Sequence, residues 1–209
     1  MEIPSLPEAQ GILLQQKWAD TILHKSPDNM GDFSRKKNLG GSERELLRAE
    51  LEETVKELLE RGVSIENFIG KSKRIVFLGK YQGKKVVIKF AAASTTVSEN
   101  RKEHNIYQKA KNDRLQDQFA QVFLMTGNGR ALVQEYCTDF IIVDDWKKPR
   151  ERWFEYNMNI EASAIRDNMT VNYKNLSGGP LDPVIKYKIY ELQMGKNKDG
   201  KWVFVDYGT

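Results

Sequence analysis

The chain has 209 residues, enough for one ordinary domain or a small domain with an arm. Apolar residues at 40% and aromatic residues at 10% support a buried core and exclude global disorder. The net charge of +4, from 33 basic against 29 acidic residues, is too mild to single out nucleic acid and suits an acidic small ligand equally well.

The first expected element is a helix over Glu8–His24, where Leu13, Leu14, Trp18, Ile22 and Leu23 fall near helical spacing. A loop, SPDNMGDFSRKKNLGG, follows. Ser42 with Glu45 then has the form of a capping box, and Leu47, Leu51, Val55, Leu58 and Leu59 make one apolar stripe that Gly62 ends. Residues 1–64 therefore read as a helical extension.

From Ile65 the pattern turns to strands. Arg74–Leu78 and Lys85–Phe90 form an expected hairpin across Gly-Lys-Tyr-Gln-Gly, and a helix is expected over Ser98–Lys111. Gln121–Thr126 and Arg130–Tyr136 form a second hairpin across Gly-Asn-Gly. The spacing predicts a five-stranded antiparallel sheet within 65–136, with one helix between its third and fourth strands. A further helix is expected over Arg150–Ala164, then a hairpin of Val184–Gln193 and Lys201–Val205 with its turn at Gly195–Gly200. Long helical crossovers between parallel strands are missing, which disfavours a doubly wound α/β fold.

The lone Cys137 excludes an internal disulfide, and with His24 and His104 it makes too small a set for structural zinc. No apolar run approaches the ~20 residues needed to cross a bilayer. The start, MEIPSLPEAQG, lacks the basic and apolar stretches of a secretory leader. The expectation is a cytoplasmic protein with no membrane partner. Trp146, Trp153, Phe154 and Tyr156 sit beside the basic run Lys147–Arg152, and read as a packing helix before they read as a base-stacking surface.

Val-Val-Ile-Lys at 86–89 sets a lysine at the end of an apolar strand, and the following helix offers Glu99 and Glu103. A carboxylate there can hold an ammonium as a fixed point charge for a phosphate. Val133-Gln134-Glu135-Tyr136-Cys137 runs from an apolar strand into a polar linker, whose backbone can meet the edge of a flat base. Ile165-Arg166-Asp167 leads to Asn172 as R-D-x-x-x-x-N, and Val205-Asp206-Tyr207-Gly208 ends an apolar strand with an acid.

In this order and spacing the chain resembles the protein-kinase superfamily, with its V-A-I-K, helix glutamate, hinge, H-R-D-x-x-x-x-N and D-F-G. The resemblance covers 65–209 and implies an α+β, protein-kinase-like fold: an N-lobe over 65–137 and a reduced C-lobe over 138–209, ending just after the D-Y-G segment. It implies that Lys89 contacts nucleotide phosphates and that Glu103 holds it. Gly70 would lie in the loop over the phosphates, and Glu135 and Cys137 would bracket the base through their backbones. Asp167 would orient the acceptor hydroxyl, and Asn172 and Asp206 would hold Mg²⁺. ATP and Mg²⁺ are the implied cofactors, with phosphate passed to a protein or to the chain itself.

The chain departs from the pattern at Ile165, where the family has histidine, and at Tyr207, where it has phenylalanine. Gly70-Lys71-Ser72-Lys73-Arg74 carries one glycine where three are usual, and the stretch from Asn172 to Asp206 is long. Two alternatives stay open. One is a kinase-fold pseudoenzyme that binds or inhibits a partner protein; under every reading the expected location is the cytoplasm, that of a host if the chain is virus-encoded. The other is a basic nucleic-acid-associated protein.

Overall fold

The computed structural model describes residues 6–25, 41–71, 73–141 and 194–205. The fold is α+β. The elements run α1 (Leu6–Lys25), α2 (Gly41–Glu60), β1 (Val63–Lys71), β2 (Ile75–Tyr81), β3 (Lys84–Phe90) and α3 (Ser94–Asn112). A 3₁₀ turn (Gln116–Gln118) leads to β4 (Val122–Met125), β5 (Ala131–Glu135), β6 (Thr138–Ile141), β7 (Met194–Lys196) and β8 (Trp202–Phe204). Strands β1 to β5 make one antiparallel sheet in the order β1-β2-β3-β5-β4, with α3 between the third and fourth strands as the spacing predicts.

The α2 stripe performs as its spacing demands: Leu47, Leu51, Val55 and Leu58 are buried. Gly62 ends the helix at φ +79°, a conformation that a side chain disfavours. The expected cap differs. The helix starts at Gly41, so Ser42 already lies in its first turn, whereas a capping residue holds extended backbone just outside the helix.

The β2–β3 hairpin is tighter than its composition suggests. The strands extend to Tyr81 and from Lys84, leaving Gln82 and Gly83 as the whole turn. Both have positive φ (50° and 75°), the two-residue geometry whose twist matches that of the strands. Gly79 is fixed by a close approach. A Cβ there would lie 2.1 Å from the Ser64 carbonyl oxygen of β1 and 2.7 Å from Ile88 Cδ1.

The chain divides into two compact units, Met1–Asn100 with Phe123–Gln134, and Arg101–Val122 with Glu135–Thr209. In the first, α1 and α2 close one face of the large sheet. Ile22, Leu51, Val55 and Leu58 pack with Ile75, Phe77, Ile88 and Phe90 in one core. Phe77 meets the rings of Trp18, Phe68 and Phe90 edge-on at 5.6–5.8 Å. The β4–β5 turn is also tied to α2: Gly127 N–H donates to the Glu57 carboxylate at 2.9 Å, Asn128 Nδ2 donates to Thr54 Oγ1 at 2.9 Å, and Arg130 pairs with Glu50. The helices expected as an extension thus share the sheet's core.

The second unit holds a small antiparallel sheet, β6-β7-β8. Phe119 packs on Phe204 at 5.6 Å between ring centres, and Ala120 N–H donates to the Phe204 carbonyl at 2.8 Å. Its β7–β8 turn falls later than expected. Gly195 lies inside β7 opposite Val203, and the turn is Asn197–Gly200. There Asn197 Oδ1 accepts from the N–H groups of Asp199 and Lys201 at 3.0 Å, replacing ladder bonds with a side-chain turn. Strand β6, for which the sequence pattern predicts no element, pairs with β7. The helix expected over Arg150–Ala164 and the strand expected over Val184–Gln193 lie outside the described residues.

Candidate functional site

Register decides which side chains share the sheet face that α1 and α2 leave uncovered. Along β3, Val86, Ile88 and Phe90 belong to the apolar core, so Val87 and Lys89 between them point the other way. Val76 lies directly across from Lys89, and Leu78 across from Val87. Paired residues share a face, so Val76, Leu78 and Val87 form a half-buried apolar strip beside the lysine. Leu132 and Gln134 of β5, alternating with the core residues Ala131 and Val133, belong to this face as well.

Lys89 does not solvate a sheet edge. Its strand is the middle one of the five, and the side chain is only 7% exposed. Burying an ammonium is costly without partners, and Lys89 has a partner within the protein. Gln134, 2% exposed, is a second buried polar group on the face.

Three segments meet at Asn100, a fully buried residue of α3. Its Nδ2 donates to the Lys89 carbonyl at 3.3 Å and to the Gly129 carbonyl at 3.0 Å. Its Oδ1 accepts from Arg74 Nη1 at 3.1 Å. The sequence reading missed this residue. Thr96, Asn100, Glu103, Tyr107 and Ala110 lie at helical spacing and all are buried, but a stripe that begins Thr, Asn, Glu does not read as a buried one in sequence.

Of the two candidate glutamates, Glu99 pairs with Lys73 at 3.4 Å. Glu103 is completely buried, in the second compact unit, and engaged in an interaction of its own. Gly70 lies within β1 opposite Val76, at a register irregularity, and so not in the connection to β2 where the resemblance would place it. A Cβ at Gly70 would meet nothing within 4 Å.

In the second unit, Glu135 ends β5 and only Tyr136 and Cys137 separate it from β6. Glu135 N–H donates to the Gln121 carbonyl at 2.8 Å. Cys137 is buried with its thiol 4.0 Å from the Glu135 carbonyl. Burial, and then the carboxylates of Glu135 and Asp117, push the Tyr107 hydroxyl above the usual tyrosine range.

Asp167, Asn172 and Asp206 lie outside the described residues. Among the described residues no group of three or more His, Cys, Asp or Glu side chains gathers to hold a metal. Nor is any described helix long and apolar enough to cross a membrane. A scan of the sequence against models of protein families and a search of curated proteins find no match.

Proposed function

We propose that the chain is a kinase-like phosphotransferase that binds ATP on the face of the large sheet opposite α1 and α2. One observation carries the reading: a buried lysine on the central strand, beside a half-buried strip of Val76, Leu78 and Val87. An apolar strip suits a flat base, and a fixed ammonium suits phosphates. The order of three strands, a helix and two strands supports it.

In this proposal Lys89 holds the α- and β-phosphates, with Glu103 as its carboxylate. Glu135 and Cys137 present backbone groups to the base, and Asp167 orients the acceptor hydroxyl. Mg²⁺ would be held by Asn172 and Asp206 and would neutralise phosphate charge. Positioning and charge stabilisation do most of the work.

Calorimetry of ATP binding with and without Mg²⁺, together with an assay of γ-phosphate transfer to the chain itself or to water, tests the proposal. Binding strengthened by Mg²⁺ and lost in Asp206→Ala, with measurable transfer, is expected. No binding at about millimolar ATP, a weak affinity for a cofactor, overturns it. Binding without transfer selects the pseudoenzyme alternative.

A further inference from the structure

The glycine-poor β1–β2 turn raises the question of what holds that turn beside Lys89. We propose that Asn100 is the positioning residue of the site. Its buried amide clasps Arg74 of the turn and the backbone of Lys89 to α3, and so sets the ammonium for the phosphates of a nucleotide. The inference rests on the nucleotide reading above and adds to it the device that orders the phosphate end.

An asparagine amide has two N–H donors and one carbonyl oxygen. At Asn100 both donors are spent on carbonyls of the first unit, Lys89 at 3.3 Å and Gly129 at 3.0 Å, and the oxygen accepts from Arg74 at 3.1 Å. No other residue type of that size supplies this set. Aspartate has the same shape but turns both donors into acceptors facing carbonyl oxygens. Leucine has the volume and none of the bonds. The bond to Lys89 grips the backbone of the residue that carries the ammonium, so a shift of the clasp displaces that charge directly.

Arg74 extends the clasp to the turn. It immediately precedes Ile75, whose side chain faces the apolar core, and it is 4% exposed. A long cationic side chain is rarely buried so fully unless its geometry matters. Lys73, its neighbour in the turn, is fastened to the same helix through Glu99 at 3.4 Å. Adjacent turn residues are thus tied to successive residues of α3, 99 and 100. Where the kinase pattern uses a glycine-rich loop, this chain fastens a short turn by its side chains.

The test compares ATP with adenosine, because only ATP reports on the phosphate end. The full-length chain and the variants Asn100→Asp, Arg74→Met, Lys89→Met and Asn100→Asp with Lys89→Met are titrated with each ligand in Mg²⁺, and thermal unfolding identifies the folded variants. We expect Asn100→Asp to lose about tenfold in ATP affinity with adenosine affinity unchanged, and Arg74→Met to lose a smaller part of the same preference. Lys89→Met is expected to lose as much as Asn100→Asp, and the double variant less than about twofold more, since both changes remove one interaction. Arg74→Met alone decides if Asn100→Asp does not fold. ATP and adenosine weakened together, an unchanged ratio between them, or additive losses in the double variant overturn the positioning role and leave the nucleotide reading standing. A wild-type chain that binds neither ligand overturns both.

Discussion

The two faces of the large sheet are built from the same strands and on opposite principles. One face is apolar throughout and closed by α1 and α2, with Phe77 at its centre among three other aromatic rings. The other carries Lys89 and Gln134, both buried, among shorter aliphatic side chains. Apolar burial stabilises at about 25 cal/mol per Å², whereas a buried ammonium does little better than break even with its partners. The first face is therefore where the fold draws its stability. The second keeps groups that stability alone does not favour, which is the pattern of a site.

The largest effects should come from breaking the closed face. Phe77→Ala removes a fully packed ring and leaves a cavity, so a loss of about 3–5 kcal/mol in urea-unfolding stability is expected. Any ligand preference of the folded fraction should survive. Gly79→Ala comes next, at about 1–3 kcal/mol. The new methyl group meets the Ser64 carbonyl at 2.1 Å, and backbone cannot move aside as a flexible side chain can. A Gly79→Ala protein as stable as wild type would show that β1 is not held tightly against β2.

Lys89→Met sharpens the comparison from the other side. The replacement keeps the length of the side chain but leaves Glu103, the buried carboxylate proposed for it, without its cation, so a stability loss of about 1–3 kcal/mol is expected. Nucleotide affinity should fall about tenfold in the same sample. A stability loss as large as that of Phe77→Ala, without any change in binding, would make Lys89 a structural ion-pair residue and the two faces alike in purpose.

The closed face was legible in the sequence because it rests on periodicity. The Leu47–Leu58 stripe and Gly62 are local signals, and packing agrees with them. Where two-residue turns replaced longer ones, as at Gln82–Gly83, the information lay in backbone dihedrals that composition describes poorly. The opposite face was legible only in part. Lys89 and Glu103 stood out through a motif, but Asn100 did not, because its role depends on carbonyls 11 and 29 residues away that only the fold brings together. Strand β6 was hidden for a similar reason: its partner β7 lies far along the chain, and four residues carry little pattern of their own.

The smallest expected effect comes from the outer side of the helical pair. Arg48 of α2 forks onto Asp20 of α1, with Nε at 2.7 Å from Oδ1 and Nη2 at 3.3 Å from Oδ2. The hydrogen bond from Arg48 holds the Asp20 carboxyl below its ordinary range, outweighing a slight opposing effect of burial. A lowered carboxyl pKa means that the folded state prefers the ionised form, so the pair stabilises above the pKa of the unfolded chain and loses its effect as pH falls through the lowered one. Both side chains are largely in water, 57% and 40% exposed, which screens the attraction. Asp20→Asn should therefore lower Tm slightly at about pH 7, by less than Gly79→Ala does, and the difference from wild type should shrink as pH falls below the ordinary carboxylate range. Added salt should shrink it at about pH 7. If Asp20→Asn instead costs as much as Phe77→Ala, or its effect persists unchanged in acid, then the helices are held to each other by this ion pair, and the apolar face is not what closes the sheet.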